Sequence, residues 1–143
     1  MAPPAPVVRP PARPLLRGTW RFEQDDTACV ATLIAGRDSL TVTIRRTAPG
    51  RLALALEDAA PATARLRFTG NSGNWQIVAQ RAGARSLVAA LGPDNLALSR
   101  VLVLLGGGTL ELGDAAQGLP AIGLPAAGTP GQAWFDCARD KLG

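Results

Sequence analysis

Few side chains in this 143-residue sequence could carry out covalent or metal-dependent chemistry. The sequence contains no histidine, which excludes histidine-based triads, histidine metal sites and histidine general bases. Its two cysteines are too few for a thiolate zinc site, which usually needs three or four nitrogen or sulfur ligands. Catalysis would therefore have to use carboxylates, hydroxyls, a cysteine, arginines or the single lysine. We expect neither a metal nor a cofactor.

Two adjacent carboxylate pairs are candidates for acid and base catalysis. They are Asp25–Asp26 and Glu57–Asp58, and each lies near the end of a predicted strand. Neighbouring side chains of a strand point to opposite faces, so neither pair is suited to act as a dyad. Aspartate also favours turns, where its carboxylate bonds to nearby backbone. We interpret both pairs as turn residues and keep a carboxylate-based enzyme as an alternative function.

The two cysteines, Cys29 and Cys137, fall on an early predicted strand and on the last predicted helix. If they are oxidised together, they tie the C-terminal helix to the start of the sheet. Closing so long a loop could stabilise the fold by up to roughly 4–5 kcal/mol, and it would indicate an oxidising compartment. The alternative is a pair of ordinary buried thiols, which would place the protein in the cytoplasm.

Arginines provide the candidate binding residues. Six of them fall on outward positions or hairpin ends of predicted neighbouring strands: Arg45, Arg46, Arg65, Arg67, Arg81 and Arg85. Together they could form a patch that meets phosphates, acidic glycans or an acidic protein. The alternative is a solvated sheet face that protects against aggregation.

The stretch RVLVLLGGGTLELGD (residues 100–114) raises the question of a phosphate-binding loop. A Walker loop requires a lysine, and none is present here. A dinucleotide fingerprint requires a strand before its glycines and a helix after them, whereas here a helical pattern precedes the glycines and a strand pattern follows. We therefore interpret the glycines as a helix stop, with Gly106 in the left-handed conformation.

The net charge of +4 is confined to the N-terminal segment. Four arginines precede the first acidic residue, Glu23, and from residue 22 onward eleven basic residues balance eleven acidic ones. A nucleic-acid-binding module would carry its basic face on the folded domain, so no specific nucleic-acid partner is expected.

Residues 1–17 are predicted to be a disordered tail rich in proline and arginine, followed by a single globular domain over 18–143. Proline fixes the backbone angle φ and removes hydrogen-bond donors, which favours an extended segment. No signal peptide is visible in the sequence as given, although "APPAP" resembles the start of a mature exported protein. No apolar run is long enough for a transmembrane segment.

The elements that must position these residues are mostly strands. Alternation of apolar and polar residues predicts strands near 19–24, 28–34, 39–46, 51–57, 64–69, 74–81 and 85–91. Short connections favour antiparallel neighbours. The predicted fold class is therefore α+β: a β-rich antiparallel meander, forming a curved sheet or partial barrel, with two helices.

The first helix is predicted to be buried and to lie near 94–105, with Asp94 as its N-cap. Spacings of three and four place its apolar residues on one face: Leu98, Val101, Leu102 and Leu105. The second helix is predicted near 130–141. Thr129, Pro130 and Gln132 match a capping box.

The sequence resembles small periplasmic proteins of alphaproteobacteria related to invasion-associated locus B in the segments "GTW…DDTACVATL", "LTVTIRR", "ARLRF", "LVLLGGGTLEL" and "AWFDCAR". This resemblance spans residues 18–140 and implies an exported, non-enzymatic envelope protein. The opening "RGTWRFEQDDTACVATL" also looks like that of bacterial periplasmic metalloprotease inhibitors, which are small barrels with an N-terminal trunk.

These observations predict a non-enzymatic exported protein, periplasmic or secreted, that interacts with an unidentified protein or acidic ligand. A monomer is expected. The main alternative is a small periplasmic protease inhibitor that acts through its N-terminal tail.

Overall fold

A computed structural model describes residues 15–46, 48–57, 59–113 and 121–142 of the chain. The strands are β1 (Leu15–Arg17), β2 (Thr19–Gln24), β3 (Ala28–Ala35), β4 (Asp38–Arg45), β5 (Ala48–Ala55), β6 (Thr63–Gly70), β7 (Gly73–Arg81), β8 (Ser86–Ala90), β9 (Gly108–Gly113) and β10 (Ala121–Leu124). The helices are α1 (Asp94–Leu105) and α2 (Gly128–Leu142). The predicted α+β class, with a curved β-rich sheet and two helices, is confirmed.

The strands follow the alternation in the sequence. On β4, for example, Leu40, Val42 and Ile44 are buried, while Thr41 and Thr43 between them are partly exposed. Threonine and β-branched apolar residues suit such a half-buried pleated surface. The inward-facing residues of the strands and the apolar faces of both helices together form one hydrophobic core.

The sheet contains all ten described strands in the order β1-β10-β9-β6-β7-β8-β5-β4-β3-β2. It consists of one meander from β2 to β5 and a second group in which β6, β7 and β8 fold back so that β8 pairs with β5. The predicted single meander is thus interrupted once, because the segment after β5 crosses past the positions of β8 and β7.

Gly18 is the residue at which the sheet closes on itself. It alone separates β1, at one end of the sheet order, from β2, at the other. The two ends must therefore lie side by side, and the sheet curves into a nearly closed barrel. The amide of Gly18 donates to the carbonyl of Gly123 (3.0 Å), and a Cβ at Gly18 would overlap the side chain of Leu33.

The two helices contact each other and pack against different strands of the barrel. Helix α1 leaves β8 and returns to β9, contacting β5, β6 and β7, whereas α2 contacts β2, β3 and β4. On α2 the residues Trp134 and Ala138 are buried, and Phe22 from β2 packs against the Trp134 ring at 6.1 Å between centroids.

Three local predictions about the helices are wrong. Leu102 was placed on the buried face of α1, but half of its surface is exposed, and the buried residues are Ala97, Val101, Leu104 and Leu105. Asp94 is the first residue of α1 rather than its N-cap, which is Pro93. Helix α2 begins at Gly128, so Thr129 lies within its first turn and does not precede it.

The helix stop is confirmed, but the left-handed residue lies one position later than predicted. Gly106 is right-handed (φ −76°), whereas Gly107 has φ +89°. The amide of Gly106 still donates to the carbonyl of Leu102 (3.1 Å). Because Gly106, the C-cap residue, keeps a right-handed conformation, the reversal into β9 falls on Gly107 and Gly108.

The predicted tail is also wrong in its last three residues. Leu15–Arg17 form β1, which pairs in parallel with β10. Residues 1–14 lie outside the described residues. The sequence did not predict β10 either, a strand of only four residues whose position is set by its pairing with β9.

Candidate functional site

The two cysteines form a disulfide. Cys29 on β3 is bonded to Cys137 on α2, with 6.2 Å between their Cα atoms. Cys29 is fully buried, so the bond lies at the junction between the barrel and the helix that covers it. The prediction that this pair ties the C-terminal helix to the start of the sheet is confirmed.

The carboxylate of Asp25 organises the turn between β2 and β3. Its Oδ1 accepts bonds from the Thr27 hydroxyl (2.7 Å), the Thr27 amide (2.7 Å) and the Ala28 amide (2.9 Å). These donors, the Thr27 hydroxyl first, lower the pKa of Asp25 below its ordinary value of 3.8. This arrangement serves the backbone of a turn and fits the interpretation of Asp25–Asp26 as turn residues.

The second carboxylate pair is only half within the described residues, because Asp58 lies outside them. Glu57 is exposed and forms an ion pair with Arg37 at 3.2 Å. Its amide donates to the buried carboxylate of Asp38 (2.8 Å). The carboxylates of Glu57 and Asp38 therefore both help to join the start of β4 to the segment after β5.

The six predicted arginines do not form one patch. Arg65 and Arg67 lie on the outer face of β6, whereas Arg81 and Arg85 lie at the β7–β8 connection. Arg45 and Arg46 are at the end of β4, which is separated from β6 by β7, β8 and β5, so the prediction of neighbouring strands is wrong for these two. Arg46 also forms an ion pair with Asp140 of α2 at 3.0 Å.

Strands β7 and β8 separate shortly after they begin to pair. They are matched at only two positions, Gln80 with Val88 and Arg81 with Leu87. On its other side β7 is matched to β6 at eight positions, from Gly73 to Gln80. One edge of β7 therefore has no neighbouring strand over most of its length, within the part of the sheet that the structure describes.

Arg100 of α1 connects the two strands where they separate. Its Nη1 donates to the carbonyl of Leu91, just after β8 (2.8 Å), and its own carbonyl accepts from the indole Nε1 of Trp75 on β7 (3.1 Å). The guanidinium also lies 5.2 Å from the centroid of the Trp75 ring, within the range of a cation–π contact. Helix α1 thus fills the split from the inside of the barrel.

On the outside, the split is bordered by an open groove of about 500 Å³. We call it the β7–β8 groove; it is lined by residues 48–51 of β5, 78 and 80 of β7, and 88–90 of β8. Val78 is 55% exposed there, the most exposed of the large apolar side chains among the described residues. The groove is therefore apolar, shallow and accessible.

The β7–β8 groove continues around the end of the barrel. A neighbouring depression of about 800 Å³ shares Ala48, Pro49 and Ala90 with it and extends to Asp94 of α1 and Lys141 of α2. The two depressions form one elongated surface, and such a shape suits an extended chain better than a compact small molecule.

Sequence reasoning missed Arg100, Trp75 and Val78. The bond between Trp75 and the carbonyl of Arg100 joins residues 25 positions apart and could not be inferred from the local pattern. Val78 lies among outward-facing polar residues on β7. A valine at such an outward position was the one feature of the sequence that could have indicated a binding surface on this strand. The split itself lies between two strands that are neighbours in the sheet, where Arg100 of α1 bridges them, and no local pattern specifies this long-range packing.

Neither α1 nor α2 is long and apolar enough to cross a membrane, and no other helix occurs in the described ranges. In the same ranges, no three side chains of the metal-ligating types come together. Comparisons of the chain with family models, with curated proteins and with solved structures each give no match.

Proposed function

We propose that this protein is a non-enzymatic binding protein of an oxidising compartment, periplasmic or secreted, and that its ligand occupies the β7–β8 groove. The observation that carries the proposal is the split between β7 and β8, which opens an apolar groove on the outer face of the sheet.

The compartment is supported by the Cys29–Cys137 disulfide. Such bonds persist in the periplasm and outside the cell and are rare in the cytosol of most organisms. The resemblance of the sequence to small periplasmic proteins points in the same direction.

The binding role is supported by the exposure of the split. Proteins usually cover, charge or shorten an unpaired strand edge because it attracts other chains. Here the edge of β7 is long, and it is accompanied by the exposed Val78 rather than by a charged residue. An accessible apolar groove beside such an edge is typical of a recognition surface.

The binding role can be tested by selecting peptides from a random displayed library on the immobilised protein. We expect enriched peptides that bind the wild type and lose binding to Val78→Glu. Ile34→Glu is the matched control, since Ile34 is also an exposed apolar residue on an outer strand face, 40% accessible. Failure to enrich any peptide that distinguishes Val78→Glu from Ile34→Glu would refute the proposed site.

The compartment can be tested by thiol titration of the unfolded, unreduced protein purified from its natural host. We expect no free thiol, because both cysteines are in the disulfide. Two free thiols per chain would contradict an oxidising location.

A further inference from the structure

We infer that the ligand of the β7–β8 groove is an acidic peptide segment that binds in extended conformation, as an added strand along the unpaired edge of β7. This inference rests on the proposed binding function and specifies its ligand. Peptide recognition by strand addition uses backbone hydrogen bonds for affinity and side-chain contacts for specificity.

The backbone of β7 presents hydrogen-bonding groups to the split. The amide of Arg81 donates to Ala62, on the β6 side (2.9 Å), and the amide of Ala82 donates to Ser86, on the β8 side (2.8 Å). Backbone groups alternate between the two sides of an antiparallel strand. The N–H and C=O groups of the even-numbered residues therefore face the split: Asn74, Gln76 and Val78.

The edge is held open without a ligand. Trp75 of β7 bonds to the carbonyl of Arg100, and Arg100 bonds to the carbonyl of Leu91 after β8. Beyond their two matched positions, the two strands are thus joined through α1. A preformed site avoids the cost of reorganising the protein on binding, so a peptide can pair with β7 while β8 stays in place.

The charged residues around the groove determine which charge the bound peptide should carry. Arg51 lines the groove, and Arg45 is exposed next to it, paired across strands with Ala48. The only acidic residue in the described strands β4 to β8 is Asp38, which is buried on the inner face. The β7–β8 groove is therefore lined by one basic residue, Arg51, and by no acidic residue, whereas the neighbouring depression contains one acidic residue, Asp94, beside Arg46 and Lys141. This distribution favours carboxylates on the peptide.

The experiment measures the binding of short labelled peptides to the full chain by fluorescence anisotropy. One peptide alternates valine with glutamate, a second alternates valine with lysine, and a third repeats the first with N-methyl groups on every backbone amide, so that neither edge of the strand keeps its donors. We expect the glutamate peptide to bind roughly tenfold or more tightly than the lysine peptide and to weaken as salt is raised. The N-methylated peptide should lose binding, because methylation removes the donors that an added strand requires.

Two variants with the same change in net charge locate the site. Arg51→Ala should weaken binding of the glutamate peptide severalfold, since Arg51 lines the groove. Arg37→Ala should leave it unchanged, because Arg37 lies in the β3–β4 turn, where it pairs with Glu57.

The possible failures are distinguishable. Equal binding of the lysine peptide or of the N-methylated peptide would overturn the inference while leaving a groove-binding function intact. A dimer in light scattering that Val78→Glu dissociates would also overturn it, because a second copy of this chain would then occupy the edge. If no peptide of either charge binds and library selection also yields nothing dependent on Val78, the proposed function itself fails.

Discussion

At the scale of single residues, the polar side chains of this protein mostly complete the hydrogen bonding of the backbone. Asp25 accepts amides in a turn, Asp38 accepts the amide of Glu57, and Arg100 donates to the carbonyl of Leu91. Buried backbone groups need such partners because leaving them unpaired is costly. The carboxylates of Asp25 and Asp38 thereby serve the local structure.

Arg100→Met should destabilise the fold. The change removes the donor to the carbonyl of Leu91, a fully buried residue, and an unsatisfied buried carbonyl costs about 1–3 kcal/mol. Denaturant unfolding monitored by tryptophan fluorescence measures the loss. Arg37→Met is the control: Arg37 is highly exposed, and its surface ion pair should contribute no more than about 1 kcal/mol. Equal losses in the two variants would contradict a bridging role for Arg100.

Asp25→Asn should reduce the loss of stability in acid. The pKa of Asp25 is lowered in the folded state, chiefly by the Thr27 hydroxyl and then by the amides of Thr27 and Ala28. Its contribution is therefore present above pH 3.8, the ordinary value, and is lost as the pH falls through the lower folded pKa. Unfolding free energies measured across this acid range should fall more steeply for the wild type than for Asp25→Asn.

Substitutions at Thr27 refine this test. Thr27→Ser keeps the hydroxyl donor and should preserve the wild-type pH profile, whereas Thr27→Val should resemble Asp25→Asn in part, because the backbone donors remain. An unchanged acid profile in all three variants would show that this turn does not contribute to acid sensitivity.

At the scale of elements, the glycines after α1 allow the chain to turn directly into β9. Gly107 has a positive φ, and Gly108 approaches β6 so closely that a Cβ would overlap the carbonyl oxygen of Thr69. The glycines therefore permit a close backbone approach, as they do in nucleotide-binding loops, but here the neighbouring backbone is the protein's own strand.

Gly108→Ala should be strongly destabilising. The added Cβ meets the backbone at Thr69, which cannot move without breaking the pairing of β6 with β9. Gly83→Ala is the matched control, because Gly83 also has a positive φ (+112°) but nothing lies within 4 Å of its Cβ position. We expect Gly108→Ala to lose roughly 1–3 kcal/mol more than Gly83→Ala. Thermal and denaturant unfolding would compare the two, and similar losses would mean that backbone strain alone matters.

At the scale of the whole molecule, two connections hold together parts of the chain that are distant in sequence. The β1–Gly18–β2 segment joins the two ends of the sheet, and the disulfide, spanning 108 positions of the chain, holds α2 against β3. Both act on long-range contacts, which carry the largest loop-closure cost during folding.

The double variant Cys29→Ala/Cys137→Ala should lose about 2–5 kcal/mol of stability, because the unfolded chain is no longer constrained. Denaturation in the presence and absence of a reducing agent provides the internal control. The reductant should lower the midpoint of the wild type to near that of the double variant and leave the double variant unchanged. A wild type insensitive to reduction under unfolding conditions would contradict a stabilising disulfide.

The sequence by itself determined most of the local structure. Period-two alternation identified the strands from β2 to β8 to within a few residues, and the threefold and fourfold spacing together with the glycines located α1. These features depend on which side chains face the core, and that pattern is written along the chain. The cysteine pairing could be predicted because only two cysteines exist, although buried thiols remained an alternative at that stage.

The tertiary structure alone decided which elements are neighbours. The short strands β1 and β10 form only because they pair with neighbouring strands. The buried face of α1 also differs from the predicted one, because the exposure of Leu102 depends on how the helix packs against the sheet. The strand order separated Arg45 and Arg46 from the other arginines. In that order β7 and β8 remain neighbours, but they pair at only two positions, and Arg100 of α1 bridges them where they separate. The candidate site lies at this split and therefore arises from long-range packing, which no local spacing of residues encodes.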